Sequence, residues 1–252
     1  AGQVLEEPSY LDAAIRIHDF IESKMVTGND RLYLRYRDGE AAYVGQLDDY
    51  AVYALALLEI YRVTFDAKYL QCALHRAKQM VELFEDKNKG GYFMTAFDGE
   101  QLIARPKETY DGAMPSDNSV VAMVLQTLAS LTGEPEWQAA ADRQLSFLAG
   151  EIGEYPSASC FGVLAMMDAL YPHRELVCVA RDSQPGELTA YLREHPADDL
   201  QVLLKTKESA DVLSKCAPFT KDYPIPEQGT MYYLCENGAC KAPVSDFSKL
   251  HL

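Results

Sequence analysis

The sequence predicts a mainly α-helical fold built from helical hairpins, followed by a small α/β segment. Two observations predict this fold. Apolar residues recur at helical spacing in several long segments, which indicates helices with one buried face. After residue 172 the pattern changes to short β-rich runs around one helical stretch, which is typical of a βαβ unit. We therefore predict two parts, residues 1–172 and residues 173–252.

The segments with helical spacing are residues 11–25, 47–61, 69–84, 120–131, 137–148 and 160–170. Segment 120–131 is apolar on nearly every side, which predicts a deeply buried helix. Ser116 offers a cap before this helix and Gly133 offers a stop after it. The C-terminal part is predicted to contain strands at 176–180, 200–204 and 231–235, and helices at 186–194 and 243–250.

The tripeptide Asp-Gly-Glu occurs twice, at residues 38–40 and 98–100, each time between short alternating segments. Asp-Gly in this context predicts a β-hairpin. Each copy precedes a pair of helical segments, so the pattern predicts a repeating unit of hairpin, inner helix and outer helix. Repeated helical hairpins cannot bury their faces alone, and they either stack into a solenoid or close into a ring.

The formal net charge of −15 disfavours both nucleic acid and membrane surfaces as partners, and no apolar run is long enough to span a membrane. No phosphate-binding fingerprint occurs, and we predict no cofactor. Six scattered cysteines favour a reducing cytoplasm. Cys235 and Cys240 resemble half a zinc site, but without a second ligand pair we interpret them as structural or incidental thiols, and predict no metal.

Several motifs, in order along the chain, closely resemble the thioredoxin-domain-containing YyaL family, which includes the animal spermatogenesis-associated protein 20. They are Leu47-Asp48-Asp49-Tyr50-Ala51, Gly90-Gly91-Tyr92-Phe93, Arg105-Pro106-Lys107-Glu108, Tyr110-Asp111-Gly112-Ala113, Pro115-Ser116-x-Asn118-Ser119 and Cys235-Glu236-Asn237-x-x-Cys240. The resemblance implies a thioredoxin-like domain, then an (α/α) toroid similar to those of six-hairpin glycosidases and N-acylglucosamine 2-epimerases, then a small α/β segment. The thioredoxin-like domain and the first helical hairpins are expected to be absent here.

About six helices against about twelve in a closed ring indicate a partial toroid. Such a partial ring exposes apolar faces at its two open edges. We therefore expect these edges to be covered by the missing N-terminal half of the toroid or by a second copy of the chain.

The first candidate for chemistry is the pair Asp48 and Asp49 at the start of an apolar helix. Acid/base catalysis on a sugar needs two carboxylates, and Asp111 or Glu108 of the loop that follows would supply the second carboxylate. These three aspartates are our candidate catalytic residues. The alternative is structural, because Asp48 would cap the helix and Asp49 would complement its dipole.

The second candidate is the signature loop, residues 105–119, whose polar side chains are our candidate substrate-binding residues: Arg105, Lys107, Glu108, Tyr110 and Asn118. Alternatively, the loop is held by its own side chains, with Arg105 paired to Glu108 and Ser116 as a cap. Residues 105–111 are harder to explain structurally than the half that starts a helix. The aromatics Tyr92 and Phe93 are interpreted as packing residues.

These observations favour a carbohydrate-active toroid that binds a sugar-like ligand, with glycosidase-like or epimerase-like acid/base chemistry if it is catalytic. No histidine falls in the signature loop, which weakens the epimerase alternative. The rival hypothesis is a non-catalytic scaffold or interaction module of a larger thioredoxin-domain protein. The two differ in whether the acids converge on an open cavity or turn into helix caps.

Overall fold

The computed structural model describes residues 1–100, 103–153, 155–171, 174–196, 200–236, 239–250 and 252. Its helices are α1 (Pro8–Lys24), α2 (Leu47–Thr64), α3 (Ala67–Phe84), α4 (Asp117–Thr132), α5 (Pro135–Glu151), α6 (Cys160–Leu170), α7 (Gly186–Glu194) and α8 (Ala210–Cys216). Its strands are β1 (Tyr33–Arg37), β2 (Glu40–Val44), β3 (Arg174–Ala180), β4 (Leu200–Lys205), β5 (Thr230–Glu236) and β6 (Ala239–Cys240).

The helices form hairpins arranged in two layers. Helix α2 packs on α3 and α4 packs on α5, while α2, α4 and α6 pack side by side. The last three are therefore the inner layer, and α3 and α5 are the outer layer. This arrangement confirms the predicted mainly α fold, a partial (α/α) toroid of helical hairpins. None of the helices within the described ranges is long and apolar enough to cross a membrane.

Helix α4 is the buried centre of this arrangement, as its sequence predicts. Ser116 caps it by accepting a hydrogen bond from the backbone N–H of Ser119, and Gly133 ends it in the left-handed region at φ 66°. Nearly every side chain between these ends is buried, including the polar Asn118 and Gln126. The inner helices on either side therefore pack against a fixed core element.

The two Asp-Gly-Glu copies differ in structure. The first forms the predicted hairpin between β1 and β2, with φ of 52° at Asp38 and 87° at Gly39. The prediction of a second hairpin at 98–100 is wrong for the described residues, because the chain doubles back without a ladder. Met94 N–H donates to the Pro106 carbonyl at 3.0 Å, but Pro106 has no N–H to return the bond.

The C-terminal sheet has the order β4-β3-β5-β6, with β3 and β4 parallel and β5 antiparallel to β3. Helix α7 connects the parallel pair, so the predicted βαβ unit is present. The predicted helix at 243–250 is wrong, since only a 3₁₀ turn at Phe247–Lys249 forms after Val244 bridges to Tyr232. Helix α8 was not predicted, and it packs on α3.

The hydrophobic core runs without a break from the helical hairpins into the C-terminal sheet. Leu57 of α2, Leu125 of α4 and Leu203 of β4 belong to one buried cluster. The predicted boundary at residues 172 and 173 lies outside the described residues. The division into residues 1–172 and 173–252 therefore remains a prediction, and the two parts share one core.

The interpretation of Cys235 and Cys240 as thiols is wrong. They pair across β5 and β6 and form a disulfide bond, with Cα atoms 3.9 Å apart. The antiparallel register places the two side chains directly opposite each other. A spacing of five residues in the sequence does not by itself reveal this contact. Cys72, Cys160, Cys178 and Cys216 are free.

We expect Gly91→Ala to lower the free energy of unfolding by about 2 kcal/mol. Gly91 has a φ of 73°, and a Cβ added there would lie 2.6 Å from the ring of Phe147. Urea denaturation measures the change as a lower midpoint with the same slope. The control is Gly28→Ala, whose Cβ would meet open space and whose φ is not left-handed. Equal stability of the two variants would contradict the prediction.

Candidate functional site

The N-terminal turns of the inner helices α2 and α4 bring a set of carboxylates together. Asp48 and Asp49 lie in the first turn of α2, and Asp117 is the first residue of α4. The charge of Asp48 acts on both Asp49 and Asp117, and Glu108 of the signature loop acts on Asp117. We call these four residues the acidic cluster.

Burial is the main influence on two members of the cluster. It raises the pKa of Asp117 to about 6, and the charges of Asp48 and Glu108 add to the rise. Burial likewise raises the pKa of Asp49 to about 6, against a hydrogen bond from Gln46 that lowers it. Carboxylic acids that exchange protons near pH 6 are suited to general acid/base work, and such shifts are concentrated at functional sites.

Asp49 also has a structural role, as the alternative interpretation anticipated. Its Oδ2 accepts a hydrogen bond of 2.8 Å from the backbone N–H of Gln46, which completes a capping box at the start of α2. Asp48, in contrast, is exposed. The two candidate catalytic residues therefore have different roles in the structure. Asp49 caps the start of α2, whereas Asp48 is exposed to solvent.

Asp117 was not among the residues selected from the sequence. It occupies the position between Ser116 and Asn118 that the motif leaves open. The available signal was its place directly after the cap of a buried inner helix, in the same first turn that Asp48 and Asp49 occupy in α2. Local pattern alone does not show that these two helix starts are neighbours.

A groove of about 820 Å³ opens beside the acidic cluster, between α1 and α2. Helix α2 lines it with Asp48, Asp49, Val52 and Tyr53, and the signature loop contributes Met114. The wall formed by α1 is mainly apolar, with Leu11 and Ile17 among its residues. A concave, mostly apolar site of this size with a few polar groups suits a small organic ligand.

The two cations of the signature loop hold the loop itself. Arg105 donates to the carbonyl of Thr95 at 2.5 Å, and its guanidinium lies 4.2 Å from the centroid of the Phe93 ring. Lys107 donates to Asp86 at 2.7 Å and to the Gly90 carbonyl. Neither cation pairs with Glu108 in the described contacts. Phe93 is thus a packing residue, as interpreted, and the geometry favours a structural role for both cations.

Asp111 joins the signature loop to the start of α6. Its carboxylate accepts from the backbone N–H of Ser116 at 2.7 Å and of Phe161 at 2.6 Å. Burial alone would raise the pKa of Asp111, but hydrogen bonds from Ser116, Ser119 and Gly162 hold it below its usual range. Both oxygens of this carboxylate accept hydrogen bonds from the protein, and we interpret Asp111 as a residue that supports the structure of the site.

Asn118 is entirely buried and makes its hydrogen bonds within the protein. Its amide group binds the backbone of Tyr92 and the carbonyl of Glu108. The structure does not present it to a ligand. Glu108 and Tyr110 are the exposed members of the predicted binding set, with the Tyr110 N–H donating to the Glu108 carboxylate at 2.9 Å. They remain candidate substrate-binding residues beside the acidic cluster.

No family model matches the chain. Spermatogenesis-associated protein 20 of Rattus norvegicus is 30% identical over 206 residues, which cover 80% of this chain and 26% of that protein. The Homo sapiens protein of the same name is 29% identical over the same shares. An uncharacterized protein of Caenorhabditis elegans is 26% identical over 264 residues, which cover 99% of this chain and 35% of the worm protein.

The chain is homologous to spermatogenesis-associated protein 20. The family resemblance predicted from the motifs is thereby confirmed, and the chain spans about a quarter of the length of the rat and human proteins it matches. Among solved structures, cellobiose 2-epimerase from Spirochaeta thermophila aligns with a TM-score of 0.46 and 18% identity, over 57% of this chain and 38% of the epimerase chain.

We expect Asp117→Asn to stabilise the protein at neutral pH. The folded state holds the Asp117 proton up to about pH 6, while the unfolded state loses it near pH 3.8, so stability falls as pH rises through this window. After allowance for solvent screening, the variant should gain about 1 kcal/mol at about pH 7.5 relative to its effect at about pH 4. Thermal unfolding at both pH values measures it, with the exposed Asp12→Asn as control. A gain that is the same at both pH values would refute this account of the acidic cluster.

Proposed function

We propose that the groove beside the acidic cluster binds a sugar or sugar-like ligand, and that the cluster carries acid/base chemistry of the hydrolase type. The observation that carries the proposal is the pairing of a protonatable acid with an exposed carboxylate next to a ligand-sized groove. Asp117 has a pKa of about 6, and Asp48 lines the groove. Two carboxylates in unlike environments take unlike roles in acid/base catalysis.

In this proposal Asp117 is the general acid and Asp48 is the base or nucleophile. Glu108 acts on Asp117 through its charge and helps to raise the pKa of Asp117 to about 6, so that Asp117 can hold a proton at mildly acidic pH. Tyr110 and the apolar wall of the groove supply faces on which a sugar ring packs. Asp49 and Asp111 hold the helix starts at which these groups meet.

A thermal-shift screen with mono- and disaccharides tests the proposal. A bound sugar at about one hundred times its dissociation constant stabilises the native state by about 2.7 kcal/mol, which raises the melting temperature by several degrees. Asp48→Asn should abolish the shift while the protein stays folded. The matched control is Asp142→Asn on the outer helix α5, which should keep it. The carbohydrate proposal fails if no sugar in the panel shifts the wild type.

An interaction module is the second candidate function, and exposed apolar side chains at both edges of the helical array favour it. At the α1 edge these are Val4, Leu5, Tyr10, Ile17 and Phe20, and at the α6 edge they are Leu164, Met167, Leu170 and Tyr171. Leu170 and Ile17 are 83% and 60% exposed. Several large apolar side chains exposed on one helix and its neighbours are typical of a surface that contacts other protein. We propose that further toroid segments of a longer chain or a second copy cover these edges.

Multi-angle light scattering at micromolar concentration tests this second proposal. We expect the 252-residue chain to run as a dimer or larger species, or together with a co-purifying polypeptide, because burial of the edges gains about 25 cal/mol per Å². Leu170→Lys should shift the population toward monomer, and Asp142→Lys is the control on a polar face. A wild-type monomer with nothing bound would rule the proposal out.

A further inference from the structure

A cluster of potential metal-binding side chains lies apart from the acidic cluster, where α1 meets α2 and α3. We propose that His18, Glu22 and Cys72 form a zinc-binding site that fastens α1 to the outer helix α3. The site shares no residue with the acidic cluster, although His18 also lines the groove beside that cluster. No metal was predicted from the sequence, where only Cys235 and Cys240 were weighed as ligands. Local spacing gives no sign of the present cluster, because Cys72 is remote in the chain from the two α1 residues.

The donor atoms are already gathered. His18 and Glu22 are four residues apart on α1 and therefore lie on one face of the helix. With Cys72 from α3 they offer an imidazole nitrogen, a carboxylate oxygen and a thiol sulfur, all within 4.8 Å of one another. This donor set is one that zinc takes in proteins, with three protein ligands and a fourth position for water.

Surrounding hydrogen bonds orient the carboxylate toward the cluster. The buried Arg76 donates to both oxygens of Glu22, at 3.0 Å to Oε2 and 3.1 Å to Oε1. The Oε1 atom also accepts from the Tyr53 hydroxyl at 2.9 Å and the Cys72 thiol at 3.4 Å. Ligating carboxylates are commonly held in this way by a second set of partners. In the proposed site zinc takes the place of the Cys72 thiol proton beside Oε1, and Arg76 keeps its hydrogen bond to Oε2.

Zinc binding exchanges hydrogen bonds for coordinate bonds. The Cys72 thiol releases its proton to solvent and binds as the thiolate, and no electron is transferred. The charges then balance, because the carboxylates of Glu22 and Asp30 and the thiolate offset zinc and Arg76. Asp30 accepts from Arg76 at 3.1 Å, which places it within this network. An ion therefore enters without leaving an uncompensated charge.

The position of the cluster suggests what the ion does. His18 and Tyr53 line the groove, and all three ligands are only half-buried, so zinc reaches them from solvent. Helix α1 has no buried residue of its own and packs weakly on α2. A metal bound by two residues of α1 and one of α3 would hold this helix, and with it one wall of the groove, against the outer layer.

Cobalt substitution in the full 252-residue chain tests the site. Co²⁺ bound by Cys72 should give a thiolate-to-metal charge-transfer band in the near ultraviolet, and added zinc should abolish it. Cys72→Ser should remove the band, and His18→Gln should weaken cobalt binding at least about tenfold. Cys160→Ser is the matched control, because Cys160 is an exposed cysteine outside the cluster.

Two measurements on the wild type keep the test independent of variant folding. Excess zinc should slow alkylation of Cys72 at least about tenfold, read by mass spectrometry, and leave the alkylation of Cys160 unchanged. Zinc should also increase hydrogen-exchange protection across α1. Absence of the charge-transfer band together with unprotected Cys72 would overturn the zinc site. Protection of Cys72 with a band that zinc displaces would establish it.

Discussion

The buried side chain of Asn118 is the interaction on which the arrangement of the site depends. Its Oδ1 accepts from the Tyr92 N–H at 2.8 Å, and its Nδ2 donates to the carbonyls of Tyr92 and Glu108 at 3.0 and 2.9 Å. Gln144 of α5 in turn donates to the main-chain carbonyl of Asn118 at 2.8 Å and to its Oδ1 at 3.2 Å. One side chain thus joins the segment after α3, the signature loop, α4 and α5. Because each group left unpaired in such a place costs about 1–3 kcal/mol, the loop has one low-energy path.

The long polar side chains of the signature loop also hold the loop in this one conformation. From the sequence we expected that a loop which only turns and caps would not need so many long polar side chains. Arg105 and Lys107 instead pack on the Phe93 ring and bind backbone carbonyls that no helix or strand satisfies. Polar density in a loop is therefore evidence of a defined conformation. The members that remain exposed, Glu108 and Tyr110, are the ones that a ligand can reach.

Most of the helical architecture could be predicted from helix periodicity and cap residues. Cys160–Leu170 and Gly186–Glu194 begin and end where their patterns predict, because an apolar face and its flanking breakers are local properties. The second Asp-Gly-Glu copy carries the same turn signal as the first, yet no ladder forms in the described residues around it, and Met94 N–H donates instead to the carbonyl of Pro106. Asp48, Asp49 and Glu108 were expected to face one site, but Asp117 was not among them, since it reaches the other carboxylates only through helix packing. The sequence thus indicates where helices start, and the fold decides which helix starts are neighbours.

The contrast between Asp111 and Asp117 argues for where function lies. A carboxylate that supports structure at a helix start is expected to be ionised, because N–H donors and the helix dipole favour its charge. Asp111 follows this rule, with a lowered pKa and backbone donors on both oxygens. Asp117 also stands at a helix start, yet burial and two neighbouring carboxylates raise its pKa to about 6. Asp49 shares a pKa raised to about 6, but it caps α2 by accepting a hydrogen bond from the Gln46 N–H. Among the described contacts Asp117 accepts no such bond from another residue, and for this reason the proposal gives Asp117, and not Asp49, the role of general acid.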